Sequence, residues 1–233
     1  MPAMSADDWA APAERHTFAD VEDYLPTHPD RWSFGTFRWP DGAASAGVAR
    51  GRRVRPLPTT VAALLADWDA AEAELDHWAR EDAGVWLGED QVTPLVPWRP
   101  GQVLQAGANY RSHVVDLIVA ELDDDTQGRG AAEKRAYGEA LMDRRAAEGE
   151  PYVFLGAASA MTGALDDVEL VERPGARDDW ELELGVVLGK GGRWVDRSEA
   201  MSLVAGYTIV DDLTARDRVY RSDLPKIGTD WLA

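Results

Sequence analysis

The segment that most restricts the fold of this chain is a predicted β-strand over residues 179–188, with the sequence DWELELGVVL. Because strand side chains alternate between two faces, Glu181 and Glu183 lie on one face and the intervening apolar side chains on the other. The run then becomes apolar on both faces, which is typical of a buried strand. Two carboxylates on a buried face are costly to desolvate unless a cation neutralises them. If the face is instead open to solvent, the pair needs no ion.

A second predicted strand, over residues 203–210, is followed by two acidic residues, Asp211 and Asp212. A carboxylate at this strand end, placed beside Glu181 and Glu183, would complete a site of three oxygen ligands. Such a site suits Mg²⁺, Mn²⁺ or Ca²⁺, with water and substrate oxygens in the remaining positions. Alternation turns the two aspartates to opposite faces, and the spacing by itself leaves open whether an ion binds.

The composition excludes several classes of protein. With 233 residues, of which 45% are hydrophobic and 28% charged, the chain forms one large domain or two small ones rather than a disordered protein. The absence of cysteine excludes disulfides, thiolate nucleophiles, zinc ribbons and iron–sulfur clusters. A net charge of −18 argues against a nucleic-acid partner, because such binding relies on clustered Lys and Arg. No membrane span or secretory signal is visible, so we predict no membrane partner and a cytoplasmic location.

Turn residues and prolines suggest how the chain is organised. Residues 1–30 are expected to form an irregular arm, residues 32–57 a small antiparallel meander, and residues 59–80 a helix. Three prolines, at positions 94, 97 and 100, place a boundary near residue 95, and the predicted domains are 1–95 and 100–233. In the second domain the patterns predict helices over 110–122 and 131–148 and strands over 103–106, 152–155, 180–188 and 203–210.

The segment GANYRSHVVD, residues 107–116, places a histidine and a carboxylate three positions apart on a predicted helix. His113 and Asp116 are therefore neighbours on one helix face, where a carboxylate can orient an imidazole and raise its basicity. The spacing alone is weakly specific, because a single histidine is more often a surface or core residue than a catalytic one.

Three motifs, in this order along the chain, resemble the fumarylacetoacetate hydrolase (FAH) family. They are Asn-Tyr-x-x-His-x-x-acid at 109–116, Asp-x-Glu-x-Glu-Leu at 179–184, and the segment from Gly-Tyr-Thr at 206–208 to Asp-Leu-Thr-Ala-Arg-Asp at 212–217. The resemblance spans about residues 100–233 and, more loosely, residues 30–95. It implies an α+β, predominantly β fold with an FAH-type β-sandwich or roll catalytic domain, a small N-terminal domain, and a homodimer.

The resemblance also implies a metal-dependent reaction. The carboxylates of Glu181, Glu183 and Asp212 match the ligands of Mg²⁺ or Mn²⁺. In such enzymes the cation chelates the oxo-acid end of a 1,3-dicarbonyl substrate and stabilises the enolate that leaves when a carbon–carbon bond breaks. The expected activity is therefore that of a fumarylacetoacetase- or acylpyruvase-type hydrolase acting on an acylpyruvate or another β-diketo acid.

Residues of the first motif take the remaining roles. By the resemblance, His113 is the general base that activates water, Asp116 orients it, and Tyr110 and Arg111 are candidates for binding a substrate carboxylate. Two alternatives remain on the same fold. One is an isomerase or decarboxylase of an unsaturated oxo-dicarboxylic acid, and the other is a non-catalytic homologue that keeps the metal site.

The chain departs from the family in three places. Asp116 stands where Glu is usual, Gly156 stands where many members have Lys, and the chain ends at Ala233 where members typically continue into a Lys-bearing loop and further strands. Lys226 is not assigned to that lysine. We therefore expect the C-terminal part of the catalytic domain to be missing, either because the chain covers part of the native protein or because a partner completes its sheet.

Two further expectations concern residues near these motifs. The side chains of Trp68, Trp78 and Trp180 lie on apolar faces and are expected to pack in the core. Arg216 and Asp217 are expected to form an ion pair with each other near the acidic strand end.

Overall fold

The computed structural model describes residues 31–121, 130–170 and 172–219. The predicted N-terminal arm, Lys226 and the chain end lie outside these residues. The strands are β1 (Ser33–Arg38), β2 (Ala44–Arg50), β3 (Arg53–Pro56), β4 (Leu87–Gly88), β5 (Thr93–Pro94), β6 (Val103–Gln105), β7 (Phe154–Gly156), β8 (Asp178–Asp179), β9 (Leu182–Leu188), β10 (Val204–Asp211) and β11 (Thr214–Ala215). The helices are α1 (Val61–Ala66), α2 (Trp68–Arg80), α3 (Arg111–Glu121), α4 (Ala131–Glu148) and α5 (Arg216–Val219).

The α+β class predicted from the sequence is confirmed by these elements, although helices and strands contribute comparably and no predominance of β-structure is seen in the described residues. The residues divide into two compact units, one up to Trp98 together with those from Thr162 onward, and one over Arg99–Met161. The predicted domain boundaries stay a prediction. Of the described helices, none combines the length and the apolar character needed to cross a membrane.

The first unit contains an antiparallel sheet in the order β4-β3-β2-β1-β5. It includes the predicted meander, whose strands are joined by tight turns. The helix predicted over residues 59–80 is divided into α1 and α2 at Asp67, whose backbone leaves the helical region. The hydroxyl of Thr60 caps α1 by accepting a hydrogen bond from the Ala63 N–H at 3.1 Å.

Apolar side chains cover both faces of this sheet. Ala46 and Val48 of β2 pack with the apolar stripe of α1 and α2, whose buried members are Val61, Leu64, Trp68, Ala71, Leu75 and Ala79. The opposite face packs a second cluster, formed by Phe37, Trp39, Ala49, Val54 and Val92. The helical spacing of the first set explains why α2 could be predicted, and the core position expected for Trp68 is confirmed, with Trp78 packed partly buried at its edge.

The second cluster requires a glycine at position 47. A Cβ on Gly47 would lie 2.7 Å from the Trp39 ring and 2.9 Å from the Phe37 ring, both of which are buried. We therefore expect Gly47→Ala to lower the free energy of unfolding by about 1–3 kcal/mol, because these rings must shift. Chemical denaturation measures the change. The matched variant Gly191→Ala, at a position where a Cβ meets no atom within 4 Å, should be near neutral, and equal effects of the two would contradict this account.

The second unit combines the β6–β7 ladder with the helix pair α3–α4. Val114 and Val115 of α3 pack against Met142 of α4. The two helices pack closely at Gly138, where a Cβ would lie 3.3 Å from Ile118 Cδ1 and 3.4 Å from the Val115 Cα atom. Both helices were predicted, and α4 is an amphipathic surface helix as its thin apolar stripe indicates.

The strand that carries the acidic residues lies in the first unit and pairs antiparallel with β10. The expectation that β9 is buried on both faces is wrong for the described residues. Its apolar side chains Leu182 and Leu184 are 72% and 61% exposed, and Trp180, expected in the core, is 63% exposed. The reason is that β9 and β10 form a two-stranded ladder with no described element covering that face.

Candidate active site

One register runs through β8–β11 and through β9–β10 from Gly206 to Asp211, and it determines which side chains share a face. Glu181 and Asp212 lie directly opposite each other, since each N–H donates to the other's carbonyl oxygen at 3.2 and 2.9 Å. Glu183 faces Val210, and Asp179 faces Thr214. Because directly opposed residues and every second residue along a strand share a face, Asp179, Glu181, Glu183 and Asp212 all project from one face of the ladder. We refer to these four carboxylates as the acidic face.

The structure therefore places the three predicted metal ligands on the same face of adjacent strands. Glu183 and Asp212 are half-buried, and the Glu181 side chain is 23% exposed. Asp211 faces Leu182 on the opposite side of the ladder, as alternation predicts. Strand pairing thus brings Asp212 beside Glu181, although Asp212 lies about thirty residues later in the sequence.

Arg216 projects from the same face and places a positive charge beside two of its carboxylates. Its Nε donates to Asp179 Oδ2 at 3.0 Å, and its Nη2 forms an ion pair with Glu181 Oε1. Burial opposes the charged form of the guanidinium, but the hydrogen bond to Asp179 and the charge of Glu181 outweigh it and raise the pKa of Arg216. The predicted ion pair between Arg216 and Asp217 is wrong, because Arg216 binds Asp179 and Glu181 while Asp217 binds Arg173.

Asp217 instead belongs to a second charged cluster. Arg173 binds it with two hydrogen bonds, from Nε to Oδ2 at 3.0 Å and from Nη2 to Oδ1 at 2.5 Å, and also donates to Asp178 at 2.8 Å. The N–H of Arg177 donates to the same Asp217 carboxylate at 3.1 Å. The Arg173 hydrogen bonds hold the pKa of Asp217 far below its usual range, and they raise the pKa of Arg173. This cluster ties α5 to β8 next to the acidic face.

The lowered pKa of Asp217 predicts a pH dependence of stability. A depressed pKa in the folded state means that the carboxylate stabilises the fold above the ordinary aspartate pKa of about 3.9, and that this stabilisation is lost as the pH falls through the lower folded value. We expect Asp217→Asn to lower the midpoint of thermal unfolding at pH 7, with a difference from the wild type that narrows below about pH 4. Circular dichroism melts of both proteins from pH 3 to 8 measure this difference in unfolding midpoint. A midpoint difference at pH 3 as large as that at pH 7 would contradict the stabilising role of the Asp217 carboxylate. An equal loss of stability in the control variant Asp167→Asn would contradict it as well.

The donor set of the acidic face fits a hard divalent cation. It offers carboxylate oxygens from four acidic side chains on a partly buried face, and two of these side chains contact the Arg216 guanidinium. In the described residues, however, no three Asp, Glu or His side chains are gathered around a common point as metal ligands. The pairing of Glu181 with Arg216 is one reason, since it turns that carboxylate toward the guanidinium.

The predicted dyad of His113 and Asp116 is not paired in the structure. Asp116 Oδ1 accepts a hydrogen bond from Arg135 Nη2 of α4 at 3.0 Å, and His113 is exposed on the first turn of α3. Among the described residues, His113 has no hydrogen-bond or ion-pair partner. The two side chains lie on one helix, as predicted, but the Asp116 carboxylate binds Arg135 of α4 instead of His113.

The two predicted substrate-binding residues differ in their surroundings. Tyr110 is 68% exposed. Arg111 donates from Nε to Asp143 at 2.8 Å and has Glu139 at 3.8 Å, both on α4. The hydrogen bond to Asp143 raises the pKa of the Arg111 guanidinium. Arg111 therefore contributes to the packing of α3 on α4.

Sequence reasoning assigned no role to Asn109, although it is part of the first motif. Its side-chain amide donates to the carbonyl oxygen of Tyr152 at 2.8 Å and accepts from the Tyr152 N–H at 2.9 Å. The side chain thus acts as a backbone would in a ladder and connects the start of α3 to the segment before β7. Its position just before the predicted helix is the sequence signal that could have indicated such a role, because Asn side chains often hydrogen-bond to the backbone at such sites.

A comparison with known families decides the classification. The family model described as "Fumarylacetoacetate (FAA) hydrolase C-terminal" matches residues 102–233, more than half of the chain. This chain belongs to the FAH family. The resemblance inferred from its three motifs is thereby confirmed.

Relatives of this chain in the FAH family are named for different reactions, a tautomerisation and a hydrolysis. Human mitochondrial oxaloacetate tautomerase FAHD2A is 40% identical over 148 residues, which cover 63% of this chain and 37% of the relative. The 2,4-didehydro-3-deoxy-L-rhamnonate hydrolase of a Sphingomonas strain is 45% identical over 82 residues, 35% of this chain and 27% of the relative. The chain thus spans well under half the length of these curated relatives.

A solved structure supports the FAH fold. The crystal structure of a protein from Mycobacterium smegmatis, provisionally named an HpcE protein, superposes with a TM-score of 0.51 at 26% sequence identity. The match covers 84% of this chain and 60% of that one.

Proposed function

We propose that this protein is a divalent-metal-dependent enzyme that interconverts the keto and enol forms of an oxo-dicarboxylic acid. The observation that carries the proposal is the placement of Glu181, Glu183 and Asp212 on one face of a paired ladder. A Mg²⁺ or Mn²⁺ ion bound there would act as a Lewis acid that stabilises negative charge on the oxygen of a 2-oxo acid. The name of the human relative, an oxaloacetate tautomerase, supports the same substrate class.

Isomerisation needs a group that moves a proton but no activated water. His113 is exposed and has no partner among the described residues, so its imidazole is available to accept and donate a proton. The carboxylate expected to orient it for water activation, Asp116, is held by Arg135. These contacts favour isomerisation over the carbon–carbon bond hydrolysis that the sequence resemblance implies.

The remaining residues of the first motif would bind the substrate. The exposed hydroxyl of Tyr110 can donate to a substrate carboxylate without leaving any contact. Arg111 could bind a substrate carboxylate only by giving up its hydrogen bonds to Asp143, because its guanidinium already binds that side chain. We therefore expect Tyr110 to contribute more than Arg111 to substrate affinity.

Hydrolysis of a carbon–carbon bond in an acylpyruvate is the second candidate. It is favoured by the exposure of His113, which water can reach, and by a relative that is named a hydrolase. The two candidates share the stabilisation of an enolate, so they differ in what happens to the distal carbonyl. Water attacks it in the hydrolase, and only a proton moves in the isomerase.

Three assays on the purified full chain with Mg²⁺ or Mn²⁺ separate the candidates. Ultraviolet absorbance follows ketonisation of enol-oxaloacetate, nuclear magnetic resonance detects two acids released from an acylpyruvate, and a CO₂ assay detects decarboxylation. We expect metal-dependent ketonisation that falls by about 10²-fold or more in His113→Ala and not in His77→Ala, an exposed histidine on α2. Metal binding without turnover of any of these substrates would favour the non-catalytic alternative.

Assembly and location are part of the proposal as well. We propose a homodimer, which light scattering of the purified protein tests directly. The cytoplasmic location stays a prediction, and the human relative is named as mitochondrial.

A further inference from the structure

Arg216 contacts the acidic face directly at a predicted metal ligand. Its Nη2 pairs with Glu181 while its Nε donates to Asp179, two positions earlier on the same face. The side chain is 29% exposed, and its backbone N–H is held by the Arg177 carbonyl oxygen at 2.8 Å. The guanidinium is therefore positioned by the ladder itself and is not a mobile surface charge.

We propose that Arg216 is a built-in counter-ion whose contact with Glu181 competes with a divalent cation, so that Arg216 sets the metal affinity of the acidic face. This inference rests on the proposed metal-dependent function. The Glu181 carboxylate cannot give the same oxygen to the guanidinium and to a metal ion. Metal binding thus requires the Arg216–Glu181 contact to open. The guanidinium can stay in position when this happens, because its hydrogen bond to Asp179 remains.

Charge arguments support the direction of the effect. In the absence of a metal, Arg216 offsets the negative charges of Asp179 and Glu181, both of which it contacts. When a divalent cation is present, the positive charge of Arg216 repels it across a short, partly desolvated distance. One residue therefore stabilises the metal-free form and weakens the metal-bound form.

The affinity for a metal ion, measured independently of turnover, tests whether Arg216 competes with the cation for Glu181. Isothermal titration calorimetry with Mn²⁺, on the metal-stripped full chain, compares wild type with Arg216→Gln, Arg216→Lys and Arg218→Gln. Arg218 is the matched control, because it lies two residues away, pairs with Asp217 at 3.4 Å, and its loss changes the net charge equally. Glu181→Gln shows whether the measured binding occurs at the acidic face.

We expect Arg216→Gln to tighten Mn²⁺ binding about tenfold and to lower the unfolding midpoint in EDTA. Arg216→Lys, which keeps the charge, and Arg218→Gln should both bind Mn²⁺ within about twofold of the wild type. If Arg216→Gln is unfolded in EDTA, refolding at Mn²⁺ concentrations below those that half-saturate the wild type supports the inference, and failure to refold overturns it.

The results separate this inference from the proposed function. Binding that is lost in Glu181→Gln but equal or weaker in Arg216→Gln overturns the competing role of Arg216 and leaves the metal-dependent function standing. If Arg218→Gln tightens binding as much as Arg216→Gln, the effect is one of net charge and the inference is likewise overturned. If the folded wild type and all variants bind no Mn²⁺, the proposed metal-dependent function fails, and the inference fails with it.

Discussion

Replacement of Glu183 by glutamine is expected to abolish the stabilisation of this protein by Mg²⁺ or Mn²⁺. A ligand that binds only the folded state at a hundred times its dissociation constant stabilises that state by about 2.7 kcal/mol. Glu183 shares the face of Glu181 and Asp212, and an amide replaces one of their three charged oxygen donors. We also expect metal-dependent turnover to fall by about 10³-fold, because the cation stabilises the developing enolate.

Thermal melts with EDTA and with each metal measure the stabilisation by Mg²⁺ or Mn²⁺. The matched control is Glu199→Gln, the same substitution at an exposed residue away from the acidic face, which should keep the full metal-induced shift. The EDTA melt of Glu183→Gln shows whether the variant is folded. A metal-induced shift that persists undiminished in Glu183→Gln would exclude the acidic face as the metal site.

Replacement of Leu75 by alanine is expected to have the largest effect on stability. Leu75 is fully buried at 0% exposure in the middle of α2, where it packs against the sheet through the cluster that contains Val48 and Val61. The lost isopropyl group leaves a cavity between helix and sheet, so the free energy of unfolding should fall by about 2–5 kcal/mol.

Urea denaturation, followed by circular dichroism, compares Leu75→Ala with Glu74→Ala. The control residue precedes Leu75 on the same helix but is exposed, and its substitution should change stability by about 0.5 kcal/mol or less. A loss below about 1 kcal/mol for Leu75→Ala would mean that α2 does not depend on this contact and that the core is arranged differently.

Local periodicity explains why much of this fold could be predicted from the sequence. Helix α2 repeats apolar residues at helical spacing, and the acidic strand alternates, so each side chain's face follows from its own segment. Alternation does not determine the register that brings Asp212 opposite Glu181, because this register depends on how the two strands pair. Where the sequence prediction failed, at Trp180 and Leu184, it assumed that an apolar run must be covered.

Ion-pair partners could not be predicted in this way. Asp116 is three residues from His113 on one helix, yet it binds Arg135 from the next helix. Arg216 is adjacent to Asp217, yet it binds Asp179, 37 positions away. Long charged side chains can reach several carboxylates, and which one they bind depends on how separate elements pack, which no local pattern contains.

By itself, the sequence determined the FAH family, the α+β class, the helices α2 to α4 and the face on which Glu181 and Glu183 lie. These depend on motifs and on the fixed periods of helix and strand, which each segment carries within itself. Only the tertiary structure decided that Asp212 joins that face directly opposite Glu181, that Arg216 pairs with Glu181 there, and that Asp116 binds Arg135 instead of His113. These outcomes depend on contacts between distant residues, whose electrostatic energies are set by distance and burial in the folded chain.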